Sequence, residues 1–198
     1  MKAMRGCRKA STRSNADDDY IHPDIVRRVD AVNPHKGHGF FARRPIPAGT
    51  VILAESPLLP QRPGSTHENM KYLIKTALAV CPDAFNALAP RPCDDPTVKY
   101  KRNAFMFAGY PALLFNGAVF NHSCHNNVHF APNTKRTHMI FTTTRNIESG
   151  EELCDSYTTQ CASVRDAHAR LKSQYGFACD YDCDSRSKEH VRDTTKSL

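Results

Sequence analysis

Asn121-His122-Ser123-Cys124 places an amide, an imidazole, a hydroxyl and a thiol directly after the apolar run from Ala104 to Phe120. A polar side chain left in such surroundings without a partner costs roughly 1–3 kcal/mol. These groups therefore need hydrogen-bond or metal partners at a site, or they lie at a strand end that meets water or backbone. Upstream, Gly37 and Gly39 flank His38 and lead into Phe40-Phe41-Ala42. Glycines spaced this way permit unusual backbone angles and let a ligand approach the main chain closely; simple hairpin turns use them too. Eight cysteines add metal or redox chemistry: Cys7, Cys81, Cys93, Cys124, Cys154, Cys161, Cys179 and Cys183. With no apolar leader beside the basic residues Lys2, Arg5, Arg8, Lys9 and Arg13, the expectation is reduced intracellular thiols rather than a disulfide framework.

The elements that must carry these residues follow from pattern. The 198 residues suffice for one domain with a sizeable core. Residues 1–19 hold almost no large apolar side chains and read as a flexible basic tail. Order is expected from Tyr20. Val51-Ile52-Leu53-Ala54-Glu55 reads as a strand. Ser65 and Glu68 can form a capping box, and Met70, Leu73, Ile74, Ala77, Leu78 and Cys81 fall at helical spacing behind it. That predicts a helix over 66–81, then a short helix over 83–88 stopped by Pro90 and Pro92. Strand character returns beyond Tyr100, with strands at 128–130 and 138–144 and another ending at 155–157. Cys161, Val164, His168, Leu171 and Tyr175 mark a helix over about 160–174, with His168 read as a packed residue. Gly109, Pro111, Asn116 and Gly117 interrupt the 104–120 run, which reads as buried structure and not a membrane span. The net charge of +7 reads as scattered surface lysine and arginine, so direct nucleic-acid binding is not expected.

In order along the chain, these pieces resemble the SET domain of protein-lysine methyltransferases, in particular the SET-and-MYND type and its fungal relatives without the MYND finger. The resemblance rests on Lys36-Gly37-His38-Gly39-Phe40-Phe41-Ala42 with Ile46-Pro47-Ala48-Gly49-Thr50, and on Asn103-Ala104-Phe105 and Asn121-His122-Ser123-Cys124. Gly150-Glu151-Glu152-Leu153 with Ser156-Tyr157, and Tyr175-Gly176-Phe177 with Cys179, complete it. It spans residues 25–183 and implies a mainly β, α+β fold of small twisted sheets with a pseudoknot at 121–124. The SET domain would occupy 20–160 with a helical insert at about 61–100, and 161–198 would form a post-SET helix and cysteine segment.

The same resemblance implies S-adenosyl-L-methionine as cofactor and a protein lysine, a histone tail among the candidates, as substrate. Cofactor contacts would fall to Lys36, Gly37, His38, Gly39, Asn103, Asn121, His122, Tyr157 and Phe177. Tyr157 and Tyr175 would line the lysine channel as catalytic residues. The implied metal ligands are Cys124, Cys179 and Cys183. Here the chain departs from the family: Tyr181 stands where a second cysteine of the cluster is expected, and no cysteine follows Cys183. Zinc normally takes four ligands, so the site is incomplete; His190 could add one, without support from its spacing. Thr158-Thr159-Gln160 replaces the acidic residue expected after Ser156-Tyr157, and no MYND cluster occurs. The broken cluster keeps a second reading open, an inactive SET-fold binding or scaffolding module. The expected location is the nucleus or cytoplasm.

Overall fold

The computed structural model describes residues 19–31, 36–61, 64–90, 93–158, 161 and 163–179. The expectations for the N-terminal tail, Cys183 and His190 lie outside the described residues.

Among the described residues, ten short strands form three sheets, accompanied by four α-helices. The first holds β1 (Tyr20–Ile21), β4 (Val51–Glu55), β9 (Met139–Thr143) and β8 (Val128–Pro132), in the order β1-β4-β9-β8. The second runs β2-β3-β10-β7, from β2 (Ile25–Val29), β3 (His38–Ala42), β10 (Glu152–Asp155) and β7 (Asn121–His122). The third is the hairpin β5 (Ala104–Phe107) with β6 (Tyr110–Leu113). Every named pair is antiparallel except β7 with β10, which is parallel. The fold is mainly β with a helical insert, as the sequence pattern indicates.

The larger core gathers Ile52, Leu53, Met139, Phe141 and Leu153 from the first two sheets, with Phe120 and Ile147 from the segments beside them. Phe120 and Phe141 stack at 4.9 Å, and Phe40 meets Phe120 at 5.0 Å. Such pairs contribute about 0.5–1.5 kcal/mol each beyond the area they bury. The interrupted run 104–120 is therefore a hairpin followed by a 3-10 turn at Gly117–Val119, its last residues buried in this core. Gly117 is required there: a Cβ would sit 2.7 Å from the Phe141 ring.

The insert forms a second, smaller core. In α1 (Thr66–Val80), Ser65 and Glu68 close the capping box, and Leu73 and Ala77 are fully buried. α2 (Pro82–Asn86) buries Phe85. The sequence pattern misses α3 (Pro96–Asn103), which is capped by Asp95 and buries Lys99, Tyr100 and Asn103. It has few apolar residues; its inner face is made by polar groups with backbone partners. Lys99 Nζ donates to Asn86 O at 2.8 Å and Leu88 O at 3.0 Å, taking up carbonyls at the end of α2. The C-terminal helix is α4 (Val164–Arg170), which continues as a π-helical turn Leu171–Tyr175 and stops at left-handed Gly176. His168 is exposed, against the expectation that it packs; Ala167 and Leu171 take the buried positions. Cys81 is disulfide-bonded, which corrects the expectation of reduced thiols throughout.

One buried acid supports the start of the 3-10 turn. Glu55 is 3 % exposed and accepts from the N–H groups of Asn116 and Gly117. Burial pushes its carboxyl up from 4.5 to about 7, the two N–H donors pulling it back and Asp19 adding to the rise. Between those values the folded chain keeps a proton that the unfolded chain has lost, so stability falls as pH rises through the window and levels off above it. Glu55→Gln mimics the protonated form. Its melting temperature relative to wild type is expected to climb steadily from below that window to above it. Parallel melting curves across the window would assign the titration elsewhere.

Candidate functional site

The lacing of residues 121–127 to β10 builds the site. β7 lies parallel to β10, with Asn121 opposite Cys154 and His122 opposite Asp155. Ser123 N donates to Asp155 O at 2.9 Å and Asn127 N to Cys154 O at 3.1 Å. The buried Asn127 side chain closes the lace. Its Oδ1 accepts from Cys154 N, and its Nδ2 donates to Glu152 O and Glu151 Oε1. Glu151 is itself paired with Arg145 at 2.6 Å.

On one side of this lace lies β3. Asn121 Nδ2 donates to Glu152 Oε1 at 2.7 Å and reaches His38 O at 3.4 Å. A Cβ on Gly39 would fall 2.5 Å from Glu152 Oε1 and 2.8 Å from Asn121 Nδ2, so a larger residue would push these two side-chain ends from their present positions. Gly37 has φ +76, in the left-handed region. Lys36, immediately before it, is exposed, while His38 is half-buried in β3. Residues 36–39, Asn121 and His122 thus come together at one end of the second sheet, where Asn121 of β7 reaches the start of β3.

On the other side stand four rings. His122 lies 5.3 Å from Tyr157 and 6.0 Å from Phe177; Tyr157 lies 4.7 Å from Tyr175, and Tyr175 lies 6.3 Å from Phe177. The Tyr157 hydroxyl donates to Phe120 O at 2.7 Å. Arg102 in α3 donates to Tyr175 O at 3.0 Å, so the insert holds the end of the C-terminal helix beside the site. Burial raises the phenols of Tyr157 and Tyr175, which stay protonated at ordinary pH.

His122 is the hinge between the two sides. Its Nδ1 accepts the Tyr157 N–H at 3.0 Å. Burial holds the imidazole down to about 4, with Lys36 and His168 acting in the same direction, so the ring is neutral. A neutral ring that accepts at Nδ1 carries its proton on Nε2, and Nε2 lies 3.3 Å from Cys124 Sγ. His122, Cys124 and Cys179 bring their ligand atoms within 4.8 Å of one another. The tautomer makes His122 a donor to the Cys124 sulfur instead of a metal ligand. That leaves two sulfurs among the described residues, half of a tetrahedral zinc set. The described residues alone do not form a complete metal centre.

The expected residues 36–39, 121, 122, 157, 175 and 177 gather in this one region. Asn103 is engaged differently. Its Nδ2 donates to Ala89 O at 2.6 Å and Lys99 O at 2.7 Å, bonds that run to the insert and not to the β3 edge. Sequence reasoning misses Glu152, Asn127 and Arg102 as site builders. Glu152 lies inside the recognised Gly-Glu-Glu-Leu stretch; Asn127 and Arg102 act through partners distant in sequence, which no local pattern reports.

The sequence matches the SET domain family over residues 37–158. A SET domain-containing protein of Acanthamoeba polyphaga mimivirus is 47 % identical over 81 residues, covering 41 % of this chain and 31 % of that protein. The Schizosaccharomyces pombe histone-lysine N-methyltransferase set5 is 29 % identical over 150 residues, covering 74 % of this chain and 46 % of its own length. The human histone-lysine N-methyltransferase SMYD3 is 29 % identical over 109 residues, 54 % of this chain and 24 % of that protein. This chain thus spans less than half the length of these relatives. A Plasmodium falciparum structure assigned to the histone methyltransferases aligns at 18 % identity with a TM-score of 0.44, over 72 % of this chain and all of that one. With the family match covering more than half of its residues, the chain belongs to the SET domain family.

Proposed function

We propose that this SET domain is an S-adenosyl-L-methionine-dependent protein-lysine N-methyltransferase. The observation that carries the reading is the position of His122. It joins a glycine-lined strand edge with Asn121 on one side to the Tyr157–Tyr175–Phe177 rings on the other. Gly39 keeps the main chain bare beside Asn121 and Glu152, which suits a ligand lying close along it. S-adenosylmethionine, when bound, would supply an electrophilic sulfonium methyl for a lysine amine.

The chain's own residues supply position and exclusion of water. Asn121 and the backbone of residues 37–39 would hold the polar end of the cofactor, and Phe177 would cover its ring. Tyr157 and Tyr175 wall the amine channel, with the Tyr157 hydroxyl fixed on Phe120 O. A lysine amine with its usual pKa of about 10.4 loses its proton more readily in such an apolar channel, because desolvation disfavours the charged form. Alignment of amine and methyl can then supply several kcal/mol without an acid–base pair. The relatives named histone-lysine N-methyltransferases support a protein lysine as substrate, with histone tails first to test and the nucleus or cytoplasm as the place of action.

Calorimetric titration with S-adenosylmethionine tests the reading, with zinc measured on the same sample. Saturable one-to-one binding is expected, weakened roughly tenfold or more in Asn121→Ala. Gly39→Ala is expected to lose that binding too, through overlap with Glu152 and Asn121. Absence of binding by the folded wild type would favour a SET-fold scaffolding module instead. With core histones as substrate, Tyr157→Phe is expected to lower kcat roughly a hundredfold while cofactor affinity holds. Equal turnover would remove Tyr157 from the chemistry. One zinc per chain would mean that ligands beyond the described residues, Cys183 first, complete the Cys124–Cys179 pair; zinc-free active protein would make those thiols structural only.

A further inference from the structure

The C-terminal helix is lightly held. In α4 and the π-helical turn that continues it, the buried residues are Ala167 and Leu171. Most of its hydrogen bonds are local. Ser163 caps Asp166, Arg170 meets Gln174, Ser173 returns to Arg170 O, and Gly176 N closes on Leu171 O and Lys172 O. Yet this helix delivers two rings to the site, Tyr175 at 4.7 Å from Tyr157 and Phe177 at 6.0 Å from His122. Short helices are marginal in water by themselves, and their ends open first.

One bond reaches out from it. Arg102 Nη1 donates to Tyr175 O at 3.0 Å, across 73 residues of chain. Among the described residues, the other hydrogen bonds of 163–176 stay within that stretch. The carbonyl stands at the end of the helix, where no intrahelical N–H reaches it and a cation is favoured. The guanidinium also lies against the next residue: a Cβ on Gly176 would come 3.7 Å from Nη2 and 4.0 Å from Nη1. Gly176, at φ +79, is where the chain leaves the helix for Phe177. The base of the Arg102 arm is firm. Lys99 and Asn103 beside it in α3 are buried and donate to the carbonyls of Asn86, Leu88 and Ala89.

Resting on the methyltransferase reading above, we propose that Arg102 is a positioning residue for the amine channel. By holding Tyr175 O it latches the C-terminal helix, and with it the Tyr175 and Phe177 rings, against Tyr157 and His122. The helical insert thereby becomes part of the site without touching substrate. The bond acts on the main chain, so it sets where the Tyr175 ring stands and leaves the phenol's own chemistry alone. A single N–H makes it, so Arg102→Lys keeps a donor whereas Arg102→Met keeps the apolar stem alone.

The test follows the whole chain by NMR, without ligand. In Arg102→Met the cross-relaxation between the Tyr157 and Tyr175 rings is expected to weaken, and amide exchange in α4 to quicken roughly tenfold, while the α3 and β9 amides hold their rates. Arg102→Lys is expected to recover most of both. Lys101→Met removes the same charge from the exposed neighbour and is expected to change neither. With core histones and S-adenosylmethionine, Arg102→Met is expected to turn over roughly tenfold more slowly, and Arg102→Lys to regain most of that rate. Unchanged ring contact and α4 exchange in Arg102→Met overturn the proposal. Loosened rings with undiminished turnover overturn it as well. So does an equal effect from Lys101→Met, which would assign it to charge, or a quickening in α3 as large as in α4, which would assign Arg102 to the insert's own fold. Loosened rings in Arg102→Met, beside a wild type that methylates nothing, would uphold the latch and overturn the methyltransferase reading.

Discussion

The parallel pairing of β7 with β10 is the constraint on which the rest of the molecule depends. Two residues of β7 face two of β10, too few for a strand pair to stand alone. Asn127 makes the pairing hold, because its amide replaces ladder bonds that a longer strand would have made. It satisfies the Cys154 N–H, the Glu152 carbonyl and Glu151 from one buried side chain. Loss of that amide would take this partner from two backbone groups at once, the Cys154 N–H and the Glu152 carbonyl, and unpaired backbone groups are costly in the interior.

Most of the site geometry follows from this lace. Fixing Asn121 against Glu152 sets the space beside Gly39, and fixing His122 opposite Asp155 aims the imidazole at Tyr157 N. The Tyr157 N–H then dictates the tautomer of His122, and the tautomer dictates what His122 can do for Cys124. A single backbone donor thereby decides that the imidazole gives a proton to the sulfur and does not compete for a metal. The helical insert acts from the other direction. Its own small core, tied down by Lys99 and Asn103, lets Arg102 hold Tyr175 O and so steady the outer wall of the ring cluster.

Two kinds of buried polar group coexist in the fold. Glu55, Asn127 and Lys99 are satisfied by backbone groups and serve the fold. Asp155 leaves Oδ1 without a hydrogen-bond partner among the described residues. The difference is physical: a satisfied group offsets its desolvation within the protein, whereas an unsatisfied one retains its capacity for a ligand.

The sequence by itself determined the elements with strong local periodicity and the family motifs. The strand at 51–55, the capped helix α1 and the glycines at 37 and 39 need only neighbouring residues to be understood. The gathering of residues 36–39, 121, 122, 157, 175 and 177 was also legible, through the ordered motifs that carry the family resemblance. Only the tertiary structure decided how α3 buries polar side chains, that His168 turns to solvent, and that Asn103 bonds the insert. It also decided that Cys124 meets His122 Nε2, and that Asp155 Oδ1 is left without a partner among the described residues. Each of these depends on a partner far along the chain, such as Ala89 for Asn103 or Tyr157 for His122. Hydrophobic spacing reports which face of an element is buried. It carries no information about which buried polar atom finds a partner, because that partner is chosen by the path of the chain.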